Sequence, residues 1–246
     1  HRLEIIEAQL KKAEKVQANS RQKRNQSNVF KLGLIGSTNA GKSSDFNALT
    51  QKIQYVQDEL FATLDATTKD FSLQDEFTVT LTDTVGFIQD LPTELVQAFK
   101  STLEESKNVD LLLHVIDASD ANHKIHEDVV ESIMKDLEMS DIPVLTVYNK
   151  LDLADDFAPT ILPNVQISIK SEAGVQQLRQ AIIAKIKELF VSFELALPYE
   201  AAYQLPILRK IALIDTVVAE DETETYHVSG SISEREKWRL TEDGLC

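Results

Sequence analysis

The chain of 246 residues has a single cysteine, Cys246, so no disulfide can form within it. No apolar run approaches the roughly 20 residues that a membrane helix needs, and no signal peptide is visible. Positive charge is in short supply: 25 Lys and Arg stand against 40 Asp and Glu, a net charge of −15. That balance argues against nucleic-acid binding over the whole surface. Glycine is scarce as well, at seven residues, and three of them, Gly36, Gly41 and Gly86, fall in two short loops. Glycine spent so sparingly marks places where backbone must approach a ligand closely. The hydrophobic fraction of 43% is ordinary for a globular protein. The length predicts one large domain with an appendage. The expected address is the cytoplasm, with a membrane-peripheral fraction as an extension of it.

The stretch Gly36, Ser37, Thr38, Asn39, Ala40, Gly41, Lys42, Ser43 fits G-x-x-x-x-G-K-[ST], the loop that wraps nucleotide phosphates. The glycines let the backbone curl so that its N–H groups converge on phosphate oxygens. Lys42 can then reach the β- and γ-phosphates, and the Ser43 hydroxyl can ligate Mg²⁺. The apolar run Phe30–Ile35 predicts a buried strand before this loop, and the residues from Lys42 predict a helix after it. The helix N-terminus adds partial positive charge to the anion site.

Three further segments follow in order. Asp83, Thr84, Val85 and Gly86 end a second predicted strand, Phe77–Thr82. An aspartate there can hold a water on Mg²⁺, and the Gly86 amide can meet a γ-phosphate. Asn149, Lys150, Leu151 and Asp152 follow a third, Val144–Tyr148. The Asp152 carboxylate can accept from two donors that guanine has and adenine lacks, which disfavours an ATPase. Ser168, Ile169 and Lys170 follow a short strand, Asn164–Ile167, and their amides can touch the guanine carbonyl. Together they specify GTP and GDP.

Between residues 29 and about 190, strand patterns alternate with helical ones at 93–107, 121–139 and 174–190. That alternation predicts an α/β fold with a mainly parallel, doubly wound sheet. Residues 69–77 read as a hairpin, which would add one antiparallel edge strand. After residue 193 a helix at 203–211 and strands at 214–218 and 224–228 predict a small α+β domain, with a charged turn at 219–224. Before the first strand, Leu3, Ile6, Leu10 and Ala13 form a helical seam. The chain opens on His1 in mid-helix, so it is expected to be a fragment of something longer, with 1–28 a helical arm left from an N-terminal domain. The arm is basic: Arg2, Lys11, Lys12, Lys15, Arg21, Lys23 and Arg24 against Glu4, Glu7 and Glu14. A solvated helix face is the preferred reading of that charge, and a phosphate-backbone contact is its rival. The division expected is 1–28, a GTPase domain at 29–192, and 193–246.

The ordered segments resemble the HflX family of GTPases. The residues that carry the resemblance are Thr38–Ser43, Phe46–Thr50, Leu60–Asp65, Thr67 and Thr68, Thr82–Pro92, Leu111–Asp117 and Asn149-Lys150-x-Asp152. The run from Asp83 to Pro92 is the most specific. The resemblance implies a P-loop GTPase, acting on the large ribosomal subunit through its rRNA in ribosome dissociation or rescue, and expected to be a monomer. It places Phe61, Ala62, Thr63, Leu64 and Asp65 at the nucleotide, with Thr63 as a Mg²⁺ ligand beside Ser43; Thr67 and Thr68 remain rivals. Lys42, Asn39 and Gly86 are the expected catalytic residues. Asn39 stands where some related GTPases use asparagine to hold K⁺.

One position contrasts with Ras-like proteins, and several depart from the family pattern. After Gly86, where Ras-like proteins carry a water-orienting glutamine, stands Phe87. Intrinsic hydrolysis is therefore expected at or below about 10⁻³ s⁻¹, unless a partner or ion assists. A nucleotide-dependent binding module with little turnover is the alternative. The usual leucine of the P-loop helix is Asp45, at a position expected to pack under the sheet, where an unpaired carboxylate is costly. Ser37, Ser44 and Ala66 are milder departures. His123 and His126, three apart, read as an exposed polar face rather than a metal pair, and His114 as a core histidine.

Overall fold

The computed structural model describes residues 29–50, 67–83 and 108–241. The elements there begin with β1 (Phe30–Ile35) and α1 (Lys42–Thr50), followed by the hairpin β2 (Thr67–Gln74) and β3 (Phe77–Asp83). Next come β4 (Leu111–Asp117), α2 (His123–Asp136), β5 (Val144–Asn149), β6 (Asn164–Gln166) and α3 (Glu172–Leu189). The chain continues through β7 (Val191–Pro198), α4 (Leu205–Ile211), β8 (Ala212–Glu220) and β9 (Thr225–Ile232). The expected helical arm at 1–28 and the helix at 93–107 lie outside the described residues.

The first sheet has the order β2-β3-β1-β4-β5-β6. All neighbours are parallel except β2 with β3, so β2 is the antiparallel edge that the hairpin pattern predicted. Helices cover both faces, which is why the strands read as continuous apolar runs. On one face Leu32, Leu34, Leu113 and Val115 pack with Phe46 and Leu49 of α1 and Leu178, Ile182 and Ile186 of α3. On the other, Ile35 and Leu112 pack with Val130 of α2 and with Leu137 and Met139. Doubly wound parallel strands bring their carboxyl ends to one edge, where such sheets bind ligands.

The second sheet is antiparallel, with the order β7-β9-β8. It has three strands where sequence reading anticipated two. The unanticipated one, β7, follows α3 after a single residue, and its alternation Val191, Phe193, Leu195, Leu197 has the period of a one-sided strand. The helix expected at 203–211 divides into a 3₁₀ turn, Tyr199–Gln204, and α4, with Pro206 at its start. Proline lacks the N–H that a continuous helix would need there. The two sheets share a core: Leu213 of β8 is fully buried among the residues of the first. No helix among the described residues is long and apolar enough to cross a membrane.

Candidate nucleotide site at the carboxyl edge of the sheet

The loop between β1 and α1 has the backbone its glycines predicted. Gly36 and Gly41 have φ of 153° and 103°. A Cβ on Gly36 would lie 2.2 Å from Val115 O, and one on Gly41 would lie 2.4 Å from Asn149 Nδ2. Asn39 also has positive φ, 61°, a conformation asparagine tolerates better than most residues. Ser37, Thr38 and Ala40 complete the turn, closed by Ala40 N–H donating to Ser37 O at 3.4 Å. The Lys42 ammonium is buried and donates to Gly36 O at 3.1 Å and Ser37 O at 2.6 Å. Burial lowers its pKa to about 8 despite the opposing charges of Asp83 and Asp45. An anion in the loop would oppose that shift by adding negative charge beside Lys42.

Ser43 Oγ donates to Asp83 Oδ2 at 2.8 Å. A hydroxyl and a carboxylate, from segments 40 residues apart, thus meet at the mouth of the phosphate loop. Of the rival threonines, Thr68 lies in the hairpin, its Oγ1 3.2 Å from that of Thr82. Phe61, Ala62, Thr63, Leu64, Asp65, Thr84, Val85 and Gly86 lie outside the described residues.

Asn149 joins the other segments. Its Nδ2 donates to Asp45 Oδ1 at 3.0 Å, while its Oδ1 accepts from Lys150 N at 2.7 Å and Ile169 N at 3.1 Å. Lys150, at φ 61°, sends its ammonium back to Asn39 O at 2.7 Å and Asp117 Oδ2 at 2.8 Å. Leu151 N–H donates to Ile167 O at 3.1 Å, which seats the turn that presents Asp152. Asp152 is exposed and accepts from Ser168 Oγ at 2.6 Å, with Lys170 Nζ 3.5 Å from its other oxygen. The Ser168 hydrogen bond, ahead of the Lys170 charge, holds its carboxyl below the usual range. An ionised carboxylate at this place only accepts, so it suits a ligand edge made of donors.

Asp45 is fully buried in α1, as its place in the helix predicted. Its Oδ2 has no hydrogen-bond partner among the described residues. Burial drives its pKa well above the carboxylate range, against the pull of Lys42. His114 is a core histidine, as expected, with its pKa lowered to about 4 by burial and then by Lys42. His123 and His126 are half-buried rather than exposed. Both turn to Asp120, Nδ1 of His123 lying 2.9 Å from its carbonyl oxygen and Nε2 of His126 2.9 Å from Oδ2. No cluster of three or more His, Cys, Asp or Glu suited to a metal occurs among the described residues.

Two contributors escaped sequence reading. Asp117 ends β4 at the same edge as Asp83 and Asn149, a signal that strand alignment alone supplies. Arg179 reaches the end of α1 from α3, 130 residues away, and no local pattern reports that.

Residues 31–150 match the sequence model of the 50S ribosome-binding GTPase family. GTPase HflX of Alkalihalophilus pseudofirmus is 38% identical over 231 residues, 93% of this chain and 55% of that protein. GTPase HflX of Escherichia coli K12 is 38% identical over 223 residues, covering 85% and 52%. The protein of that name from Caldanaerobacter subterraneus subsp. tengcongensis is 41% identical over 213 residues, covering 85% and 49%. The chain thus spans about half the length of the curated relatives it matches. The fold resembles a GTP-binding protein from the archaeon Sulfolobus solfataricus solved in complex with GDP. The TM-score is 0.53 at 26% identity, over 75% of this chain and 62% of that one.

Proposed function

Because this chain belongs to the HflX family of GTPases, we propose that it is a GTP-binding and GTP-hydrolysing switch whose partner is the large ribosomal subunit. The observation that supports it most is the placement of Lys42, the Ser43–Asp83 pair and Asp152 along one sheet edge, where Asn149 ties α1 at Asp45 to the base loop at Ile169. The loop amides from Gly36 to Ser43 would hold the phosphates, and Lys42 would exchange its two carbonyl contacts for β- and γ-phosphate oxygens. Asp152 would take the N1 and N2 donors of guanine, and the Ser168–Lys170 loop would lie against the base carbonyl.

The hydroxyl and carboxylate of Ser43 and Asp83 are hard oxygen donors 2.8 Å apart, which fits Mg²⁺. Such an ion, when bound, neutralises charge on the β- and γ-phosphates. Ser43 would ligate it directly, Asp83 would hold one of its waters, and Thr63 would complete the set. Gly86 is assigned to the γ-phosphate, and Asn39 to a K⁺ beside it. The nucleotide unit is taken as 29–192, with 193–246 as a small α+β unit packed against it.

A second reading, a nucleotide-dependent binding module with little turnover, draws on Phe87 and on the buried Asp45. One experiment separates the two: GTP turnover in K⁺ and in Na⁺ buffer, with and without purified large ribosomal subunits. Acceleration of about tenfold or more by subunits is the expected result, well within what a partner can supply. GTP binding without acceleration would favour the binding module. Equal affinity for ATP and GTP would revive an ATPase reading in place of the first.

A further inference from the structure

The hairpin of β2 and β3 spans the distance from the phosphate loop to the second sheet. At one end Asp83 holds Ser43. At the other, Gln74 Nε2 donates to Ile214 O of β8 at 2.7 Å, and Lys210 Nζ lies 3.6 Å from the Glu76 carboxylate. Both strands are irregular at this joint: the β2–β3 register shifts between Ser72 and Gln74, and the β8–β9 register between Ile214 and Thr216. A bulge takes carbonyls out of the ladder and re-aims them. The Ser72 and Leu73 carbonyls point to Arg179, whose Nη1 donates to them at 2.6 and 3.3 Å.

Arg179 does more than close the bulge. Its Nη2 lies 3.5 Å from Leu49 O, in the last turn of α1, and its guanidinium sits over the Phe71 ring at 5.7 Å. Arg179 thus places a cation beside a carbonyl of α1. One side chain of α3 therefore clasps both the helix that begins at the phosphates and the hairpin that ends at Asp83. The next residue but one along β2, Gln74, carries the connection into the second sheet.

We propose that Arg179 and Gln74 are positioning residues that couple the nucleotide site to the C-terminal sheet, so that the γ-phosphate and the conformation of β8 are thermodynamically linked. The inference rests on the reading of the site as a guanine-nucleotide pocket. Planarity and a fork of donors suit arginine to three carbonyls at once; lysine, a point charge on a flexible stem, cannot span them. Linkage is reciprocal: whatever the γ-phosphate does to β8, the state of β8 does to preference for the γ-phosphate.

The test uses the full chain, Arg179→Lys and Gln74→Ala, with two measurements. One is the affinity for GDP and for a non-hydrolysable GTP analogue; the other is amide exchange across residues 212–220 with each nucleotide bound. A merely structural role weakens both nucleotides by the same factor, because they differ only in the γ-phosphate. Coupling changes their ratio, expected at about fivefold or more in each variant, and makes wild-type exchange in β8 differ between the two nucleotides. Equal losses for GDP and the analogue, or wild-type exchange that ignores the nucleotide, would overturn the coupling and leave the pocket intact. Wild-type chain that binds neither nucleotide would overturn the pocket reading itself and the coupling with it. Gln74→Ala removes a single part-buried hydrogen bond, so a folding failure in Arg179→Lys does not remove the test.

Discussion

Asp45 shows what one side chain does against the grain of its surroundings. A carboxylate with one bonded and one unbonded oxygen, in a fully buried place, stays protonated or loses stability. Asp45→Asn keeps an acceptor for Asn149 Nδ2 and cannot ionise, so folding no longer has to hold a proton on that side chain. It is expected to raise Tm by about 2–4 °C, the shift that ~1 kcal/mol produces in a domain of this size, and to tighten GDP. Calorimetry and a GDP titration check both; no gain in either would mean that Asp45 is compensated. His114 contributes with a definite sign. Its folded pKa of about 4 lies below the ordinary 6.5, so below pH 6.5 the unfolded chain takes up a proton that the native one refuses. Stability is lost as pH falls from 6.5 towards 4, by about 3 kcal/mol in all. His114→Leu should flatten that acid limb in chemical denaturation at a series of pH values, and a slope unchanged from wild type would contradict it. Asp45, shifted the opposite way, is common to both chains and cancels. At the base pocket, Asp152→Asn replaces one of the two acceptor oxygens facing guanine N1–H and N2–H with an NH2 donor. GDP affinity should fall at least ~100-fold, while xanthosine diphosphate, with a carbonyl in place of the amino group, binds better than to wild type. Competition between the two nucleotides reads this directly.

At the scale of elements, the phosphate loop was legible because its requirements are local. Glycines at two positive-φ sites and a lysine one residue past the second suffice, and the structure shows both glycines where a Cβ would collide. Helix α3 was legible for a similar reason. Ser171 accepts from Gly174 N at 3.0 Å as its N-cap and donates to Ser168 O at 2.9 Å, tying the helix start to the base loop. Ser171→Ala should cost ~1 kcal/mol and loosen GDP by loosening that loop, measurable by thermal melts with and without nucleotide. Strand β7 was missed although its alternation is regular. The long helical pattern before it runs to Leu189, and only pairing with β9 over eight residues distinguishes a strand from a helix tail. Likewise the 3₁₀ turn ahead of α4, which ends where Pro206 opens the helix, is not reported by period alone.

Across the whole molecule, the two sheets are built as one body rather than as beads. Leu213 of the second sheet is buried in the core of the first, Gln74 bonds Ile214, and Lys187 pairs with Asp215. Leu213→Ala should therefore destabilise the chain by 2–5 kcal/mol, roughly the cost of a large-to-small core change, and shift one cooperative transition. Two separated transitions, with only one moved, would show that the sheets melt independently. By itself the sequence determined what is encoded over a few consecutive residues: the phosphate loop, Asn149 to Asp152, the alternation of strands and helices, and the family. Each of these rests on backbone chemistry and spacing that need no distant partner. Tertiary structure alone decided which segments touch. It brought Asp45 to Asn149, Ser43 to Asp83, and Arg179 to both Leu49 and Ser72, across 104, 40, 130 and 107 residues. Such contacts depend on strand order and helix placement, quantities set by packing the entire core and not by any window of the chain.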